Sequence, residues 1–237
     1  MRSVLHTSDS RGTADLGWLY SRHTFSFSNY HNPKRMNFGL LRVLNDDTVS
    51  EGKGFGTHPH QDMEIVSIPL DGDLKHEDSM GNETVIKSGD IQIMSAGTGI
   101  QHSEYNYNPN KSVKFLQIWV FPNKNGVTPR YDQITLDVAD RHNKLQQILS
   151  PNPDDEGVWI HQNAWFHMTK MDKGQKLSHR LHKPNNNGIY IFILNGNSTV
   201  NGQSLKERDG LGLWEIQSID VEADTKTEIL LIEVPMN

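Results

Sequence analysis

No cysteine occurs among the 237 residues. Its absence excludes disulfides, thiolate metal ligands and a thiol nucleophile. Any metal must then be held by histidine and carboxylate, which moves the expectation from structural zinc toward catalytic metals. A chain without cysteine also fits a reducing cytoplasm. No apolar run approaches the length that spans a bilayer. Met1-Arg2-Ser3-Val4-Leu5-His6 lacks an apolar h-region, so no secretory signal is expected. There is no basic excess either: the formal charge is −6, which argues against a nucleic-acid surface. These absences describe a soluble, cytoplasmic protein with no membrane or direct nucleic-acid partner. The length allows two modest domains or one large all-β domain.

What is present reads as short strands separated by Gly, Asn and Asp turns. Ser21 to Phe27 alternates polar and apolar residues. Phe38 to Leu44 is a second strand, closed by Asn45-Asp46-Asp47. Glu64 to Leu70 ends at Asp71-Gly72, a hairpin signal. Leu74 to Glu77, Thr84 to Ile86, Ile91 to Met94 and Val113 to Phe121 continue the pattern. The spacing predicts one helix, over Asp137 to Leu149, and the best boundary at Ser150-Pro151-Asn152-Pro153-Asp154-Asp155. Strands resume at Val158 to His161, Trp165 to Met171, Ile189 to Leu194, Ser198 to Val200, Leu211 to Trp214 and Ile229 to Val234. Asn195-Gly196 and Asn201-Gly202 are further hairpin signals. Such a pattern means an antiparallel sandwich or barrel. Ile65 to Leu70 before Asp71-Gly72 parallels Ile189 to Leu194 before Asn195-Gly196, which suggests a duplicated domain.

The chemistry is concentrated in two short segments. His58-Pro59-His60 and His102-Ser103-Glu104 each place ligand-type side chains two residues apart. On an extended chain such pairs point the same way, so each can aim at one point. Three imidazoles and a carboxylate on two strands can hold a divalent ion with positions left open for O₂, water or substrate. A sulfur-free set suits Fe, Mn, Co, Ni, Cu or Zn and does not choose among them. Against this stands the ordinary reading that some of the 12 histidines lie together by chance.

Thr57-His58-Pro59-His60, Asp78-Ser79-Met80-Gly81-Asn82 and Ala96-Gly97-Thr98-Gly99-Ile100-Gln101-His102-Ser103-Glu104 resemble the pirin family, in particular its bacterial quercetinase-like members. Gly52, His58, His60, Glu64 and Gly72 resemble the first cupin motif; Gly99, His102 and Asn106 resemble the second. The resemblance implies an all-β bicupin, two tandem jelly-roll-like double-stranded β-helix barrels with few short helices. Residues 1–135 would form the metal-binding barrel, 136–156 a linker carrying the short helix, and 157–237 a degenerate barrel without metal, completed by crossing N-terminal strands. It further implies one divalent metal held by His58, His60, His102 and Glu104; in such a site the catalytic proton acceptor is expected to be Glu104, or Glu64 if it reaches the metal. The implied reaction is cleavage of a flavonol, a small aromatic substrate, by O₂ with release of carbon monoxide. A second implied reading is a metal-binding regulatory pirin that binds an unknown protein partner and has only incidental flavonol activity.

Several other residues carry expectations. Asp62 stands where many pirins carry Gly. Glu64 is expected to support the site or pair within its strand. His76 is expected to be buried and hydrogen-bonded. Phe38, Leu40 and Met94 are candidates for pocket walls or barrel core. The Thr24 to Pro33 loop, with Phe25, Phe27, Tyr30 and His31, either lids a cavity or packs the halves together. Aligning Gly72 with Gly196 sets His182 opposite His58 and Pro184 opposite His60, so His179 and His182 are expected at the surface or in packing.

Overall fold

The computed structural model describes residues 1–237 and contains 22 strands, with helical structure limited to two 3-10 turns, Ser8–Ser10 and Val138–Arg141. The first strands are β1 (Arg2–His6), β2 (Gly12–Asp15), β3 (Leu19–His23), β4 (Leu41–Val49), β5 (Gly54–His60), β6 (Glu64–Asp71) and β7 (Leu74–Asp78). They are followed by β8 (Glu83–Ile86), β9 (Asp90–Ser95), β10 (Ile100–Asn106), β11 (Val113–Val120) and β12 (Arg130–Thr135). The later part holds β13 (Gln146–Ser150), β14 (Val158–Trp159), β15 (Trp165–Met171), β16 (Lys176–Arg180), β17 (Asn187–Asn195) and β18 (Ser198–Val200). It closes with β19 (Gln203–Leu205), β20 (Gly210–Trp214), β21 (Ser218–Ala223) and β22 (Thr227–Pro235). No helix is long and apolar enough to cross a membrane.

These strands form two sandwiches, each a seven-stranded sheet facing a four-stranded one. The first pairs β12-β9-β6-β11-β4-β3-β2 with β5-β10-β7-β8; the second pairs β1-β20-β17-β22-β15-β13-β14 with β16-β21-β18-β19. Position for position the two orders correspond, so the duplication seen in the sequence is a duplication of topology. β6 and β17, the two segments whose sequences run parallel, hold the same third place. Both edges differ: β12 closes the first large sheet whereas β1 leaves the N-terminus to pair antiparallel with β20, and at the other edge β14 runs parallel to β13 where β2 is antiparallel to β3.

The largest core cluster lies between the two sandwiches. It joins Phe25, Leu41, Leu44, Val66 and Ile118 to Tyr190, Phe192 and Ile232. A sheet buried on both faces needs apolar residues at successive positions, and β6 and β17 supply them. A second cluster, including Ile191, Val221 and Leu231, fills the interior of the second sandwich.

Four local readings need correction. Asp137 to Leu149 is not a helix: a 3-10 turn with Asp137 as cap is followed by strand β13, which pairs with β15. Sheet hydrogen bonds from β15 override a weak helical pattern of four apolar positions. Asn45-Asp46-Asp47 does not close a strand but lies within β4. There β3 and β11 satisfy its backbone from both sides. Asp71-Gly72 and Asn195-Gly196 do not close hairpins; each hands the chain from a seven-stranded sheet to the four-stranded one opposite. Finally, β16 sets His179, not His182, in the place of His58, since His179 pairs with Ile219 as His58 pairs with His102. The connection after β16 (residues 181–186) is longer than that after β5 (residues 61–63), which defeats an ungapped alignment. Asn201-Gly202 does turn a hairpin, between β18 and β19.

Phe25 is 1% exposed and sits between the halves, its ring 5.8 Å from His6 and 5.7 Å from Tyr190. Removing a buried ring of this size leaves a cavity that a two-sided interface fills poorly. Phe25→Ala should lower unfolding free energy by about 3–5 kcal/mol, read from chemical denaturation. A loss under about 1 kcal/mol would mean that this cluster does not hold the halves together.

Candidate metal centre and its cavity

β5 and β10 are antiparallel neighbours, and their register sets His102 directly across from His58. A bulge follows between His102 and Glu104 on β10. Close approach of the two backbones there requires glycine on β5: a Cβ on Gly54 would lie 2.2 Å from the Glu104 carbonyl oxygen. The expected ligand residues thus lie on adjacent strands of one sheet.

One ring nitrogen each of His58, His60 and His102 lies within 4.8 Å of the others. His58 Nδ1 is 2.8 Å from the Gly56 carbonyl, an acceptor, so Nδ1 carries the proton and Nε2 keeps a lone pair. That Nε2 is 3.0 Å from His102 Nε2. His60 Nε2 and His102 Nδ1 are buried without a hydrogen-bond partner. Burial lowers the His60 pKa to about 4, helped by His58. Burial lowers His102 to about 2, helped by His58, His60 and His76. Neutral imidazoles with nitrogens this close together are a donor set that a divalent transition ion takes.

Glu104 is 1% exposed. Ser67 Oγ donates to its Oε1 at 3.0 Å, and Gln117 Nε2 donates to its Oε2 at 2.7 Å. Burial raises its pKa, against the opposing pull of His76, Ser67, His58 and Gln117. With His76 and His102 it forms a second cluster of ligand atoms within 4.8 Å. His76 is fully buried, as expected; its Nε2 is 3.2 Å from Asp78 Oδ2, and its Nδ1 is unpartnered. His102 belongs to both clusters. Glu64 is engaged elsewhere, accepting from Ser95 Oγ at 2.9 Å and from the His161 amide at 3.2 Å.

A cavity of about 680 Å³ opens onto the first cluster. His58, His60 and Gln117 meet it, with Trp18, Phe27, Tyr30, Phe55 and Trp119 as aromatic wall. The Trp119 ring stands edge-on to His60 at 5.0 Å. Phe38 and Met94 are not walls: both are buried in core clusters. Leu40 packs against the same core as Phe38. The Thr24 to Pro33 loop packs between the halves, as one of its two readings had it, and also borders the cavity. Phe25 packs the halves together, while Phe27 and Tyr30 line the cavity. Sequence reasoning passed over Ser67, Gln117 and Trp119, whose only signal was alternation within predicted strands. Asp62 has φ +46°, the left-handed region that glycine enters without strain, and its Oδ1 accepts from the Gly126 amide at 2.7 Å.

Residues 4–120 match the family model described as Pirin, and residues 147–234 match that described as Quercetinase C-terminal cupin domain. The chain is 42% identical over 231 residues to the quercetin 2,3-dioxygenase of Escherichia coli K12, covering 98% of each. It is 36% identical to a pirin-like protein of Caulobacter vibrioides, covering 95% of this chain and 96% of that one. The solved structure of the bacterial pirin YhhW from Escherichia coli in complex with nickel(II) superposes with a TM-score of 0.93 at 41% identity, covering 99% of both chains.

Asp47, on the same cavity wall, offers a separate pH test. Burial raises its pKa to about 7 from 3.8, with Asp46 and Glu104 adding repulsion and the Ser21 hydroxyl opposing the rise. Below the unfolded value both states hold the proton and nothing is lost. Between the two values only the unfolded state releases it, so folding weakens by about 1.4 kcal/mol per pH unit. Above the folded value the loss is constant. Asp47→Asn should therefore gain stability over wild type as pH rises from 4 to 7, and hold that gain above, measured by denaturant titration at each pH. Parallel curves for the two proteins would contradict the shift.

Proposed function

The chain belongs to the pirin family, and from that premise we propose that it is a metal-dependent quercetin 2,3-dioxygenase. It takes a flavonol and O₂, opens the central ring, and releases carbon monoxide with a depside. The observation that carries this reading is the junction of an aromatic cavity of about 680 Å³ with three converging imidazoles. A planar polyphenol fits between such walls, and its hydroxyl can reach the cluster. The cysteine-free composition suits a reducing cytoplasm, where we propose that it works.

His58, His60 and His102 are the nitrogen ligands in this reading, and Glu104 is the carboxylate ligand. The metal is one divalent ion in the first barrel, and the donor chemistry leaves Fe, Zn, Mn, Co, Ni and Cu open. When bound, it supplies Lewis acidity that lowers the pKa of the flavonol 3-hydroxyl. The protein's own part is positional and protolytic. Gly56 holds the His58 tautomer through Nδ1. Phe27, Tyr30 and Trp119 orient the rings and keep water from the reacting face. Glu104, made more basic by burial, accepts the 3-hydroxyl proton on a carboxylate oxygen. The flavonolate is then electron-rich enough to combine with O₂; the two oxygen atoms end on C2 and C4, the C2–C3 and C3–C4 bonds break, and C3, which bore the hydroxyl, leaves as carbon monoxide. Glu64 is not the proton acceptor, because its partners lie on β9 and at His161.

Two measurements test this. Oxygen uptake on quercetin, with elemental analysis of protein purified without chelator or affinity nickel, should show turnover proportional to metal content. Glu104→Ala should abolish it, and wild-type rates in metal-loaded Glu104→Ala protein would remove Glu104 from the mechanism. Gln117→Ala, which frees one carboxylate oxygen, should weaken metal affinity or activity by roughly 10–100-fold. An unchanged metal titration and rate would leave Gln117 with no role at the site.

A further inference from the structure

The second sandwich repeats the fold of the first but not its centre. Matching registers set Ile219 where the first half has His102, Val221 where it has Glu104, Ile191 where it has Ser67, and Leu231 where it has Gln117. All four are buried in one apolar cluster. The barrel interior that carries the first cluster is therefore filled with hydrocarbon in the second.

Three histidines nonetheless meet in that half, only one of them, His179, at the place of a first-half ligand, His58. His167 lies on β15 of the seven-stranded sheet and His179 on β16 of the four-stranded sheet, while His182 follows β16 in the connection to β17. One ring nitrogen from each lies within 4.8 Å of the others. His167 Nδ1 and His179 Nε2 are buried without a hydrogen-bond partner. Buried polar atoms are satisfied as a rule, so two orphans in one cluster call for a ligand. A carboxylate flanks them: Glu233 Oε2 is 4.0 Å from His179 Nε2. Glu233 is itself fully buried and held by the amides of His182 and Lys183 and by Asn187 Nδ2. The Trp165 ring stacks on His182 at 4.5 Å, nearly parallel, which sets the third imidazole in place.

We propose that His167, His179 and His182 form a second metal site, at the mouth of the second sandwich, for a borderline divalent ion of the copper or zinc kind. Three imidazoles beside an anchored carboxylate, without sulfur, suit such ions. Ligand atoms on one ion at about 2.0–2.1 Å cannot be more than about 4.2 Å apart. With every spacing in the cluster at or under 4.8 Å, any closure needed is small, and His182, the exposed member, has the freedom to supply it. Its exposure also gives the ion a path in. This site shares no residue with the first and stands or falls separately from it.

The test uses the full chain carrying His58→Ala and His102→Ala, which removes two imidazoles of the first cluster. Cu(II) is titrated into this protein and followed by electron paramagnetic resonance and elemental analysis. One equivalent per chain with nitrogen superhyperfine structure is expected. Adding His182→Ala should weaken that binding at least tenfold with the unfolding midpoint unchanged. His167→Gln should weaken it further; if that variant does not fold, His182→Ala decides alone. Absence of bound copper, or equal binding with and without His182→Ala, would overturn the proposal. A failure of the quercetinase reading would show instead as missing turnover in wild-type protein, with this second equivalent intact.

Discussion

Everything at the first centre depends on keeping the Glu104 carboxylate out of water. Taking one such group out of water carries an effective penalty of several kcal/mol even after relaxation. A hydrogen bond to a charged group returns about 1.5–3 kcal/mol. Ser67 and Gln117 supply two of these, and the balance is still unfavourable enough that the carboxyl pKa stays raised. In the proposed reading a cation held at the nearby imidazoles would close the gap. The same donors tie the centre to its surroundings. Gln117 uses its amide nitrogen on Glu104 and its oxygen on Trp119 Nε1 at 3.2 Å, and Trp119 packs against His60. One side chain from the opposite sheet thereby orients the acid, one aromatic wall and, through that wall, one imidazole.

The duplicated fold makes the dependence visible by contrast. In the second sandwich the carboxylate position is Val221 and both of its donor positions are aliphatic. Losing the acid without its donors would leave an unsatisfied serine hydroxyl and glutamine amide in hydrocarbon, at about 1–3 kcal/mol each. Replacing all of them together removes the cost. The four positions behave as one unit, either polar around a cation or apolar and packed, and each half has one of the two solutions.

Much of this was legible in the chain. Strands in period two, the parallel between Ile65 to Leu70 and Ile189 to Leu194, and the two histidine-bearing pairs all follow from residue type and spacing, because side-chain direction in a strand is fixed by backbone geometry. What was not legible depends on partners far away in sequence. Asn45 to Asp47 looks like a turn until β3 and β11 flank it. The bulge after His102 is a property of two strands, as is the need for glycine at Gly54. Gln117 and Ser67 carry no motif; they matter only because β6 and β11 set them over Glu104. His167 lies 12 residues before His179 on a strand of the other sheet, so no local spacing announces that cluster.

The second sandwich also acts on the cavity of the first through a single loop. Phe25 is clamped in the interface by His6 and Tyr190, and His6 Nδ1 lies 2.9 Å from the Tyr190 hydroxyl. Two residues on, Phe27 stands edge-on to Trp119 at 5.4 Å, and Tyr30 lies over Gly12, where a Cβ would come within 2.3 Å of its ring. Between these contacts runs a short stretch of chain with Ser28 at φ +49°, which leaves little slack to absorb a shift. Phe27 and Tyr30, which line the cavity, are thus joined through a few residues to Phe25 in the interface. The second half therefore contributes to the first centre by packing: Tyr190 and His6 hold Phe25, from which the chain runs directly into the aromatic wall beside the histidines.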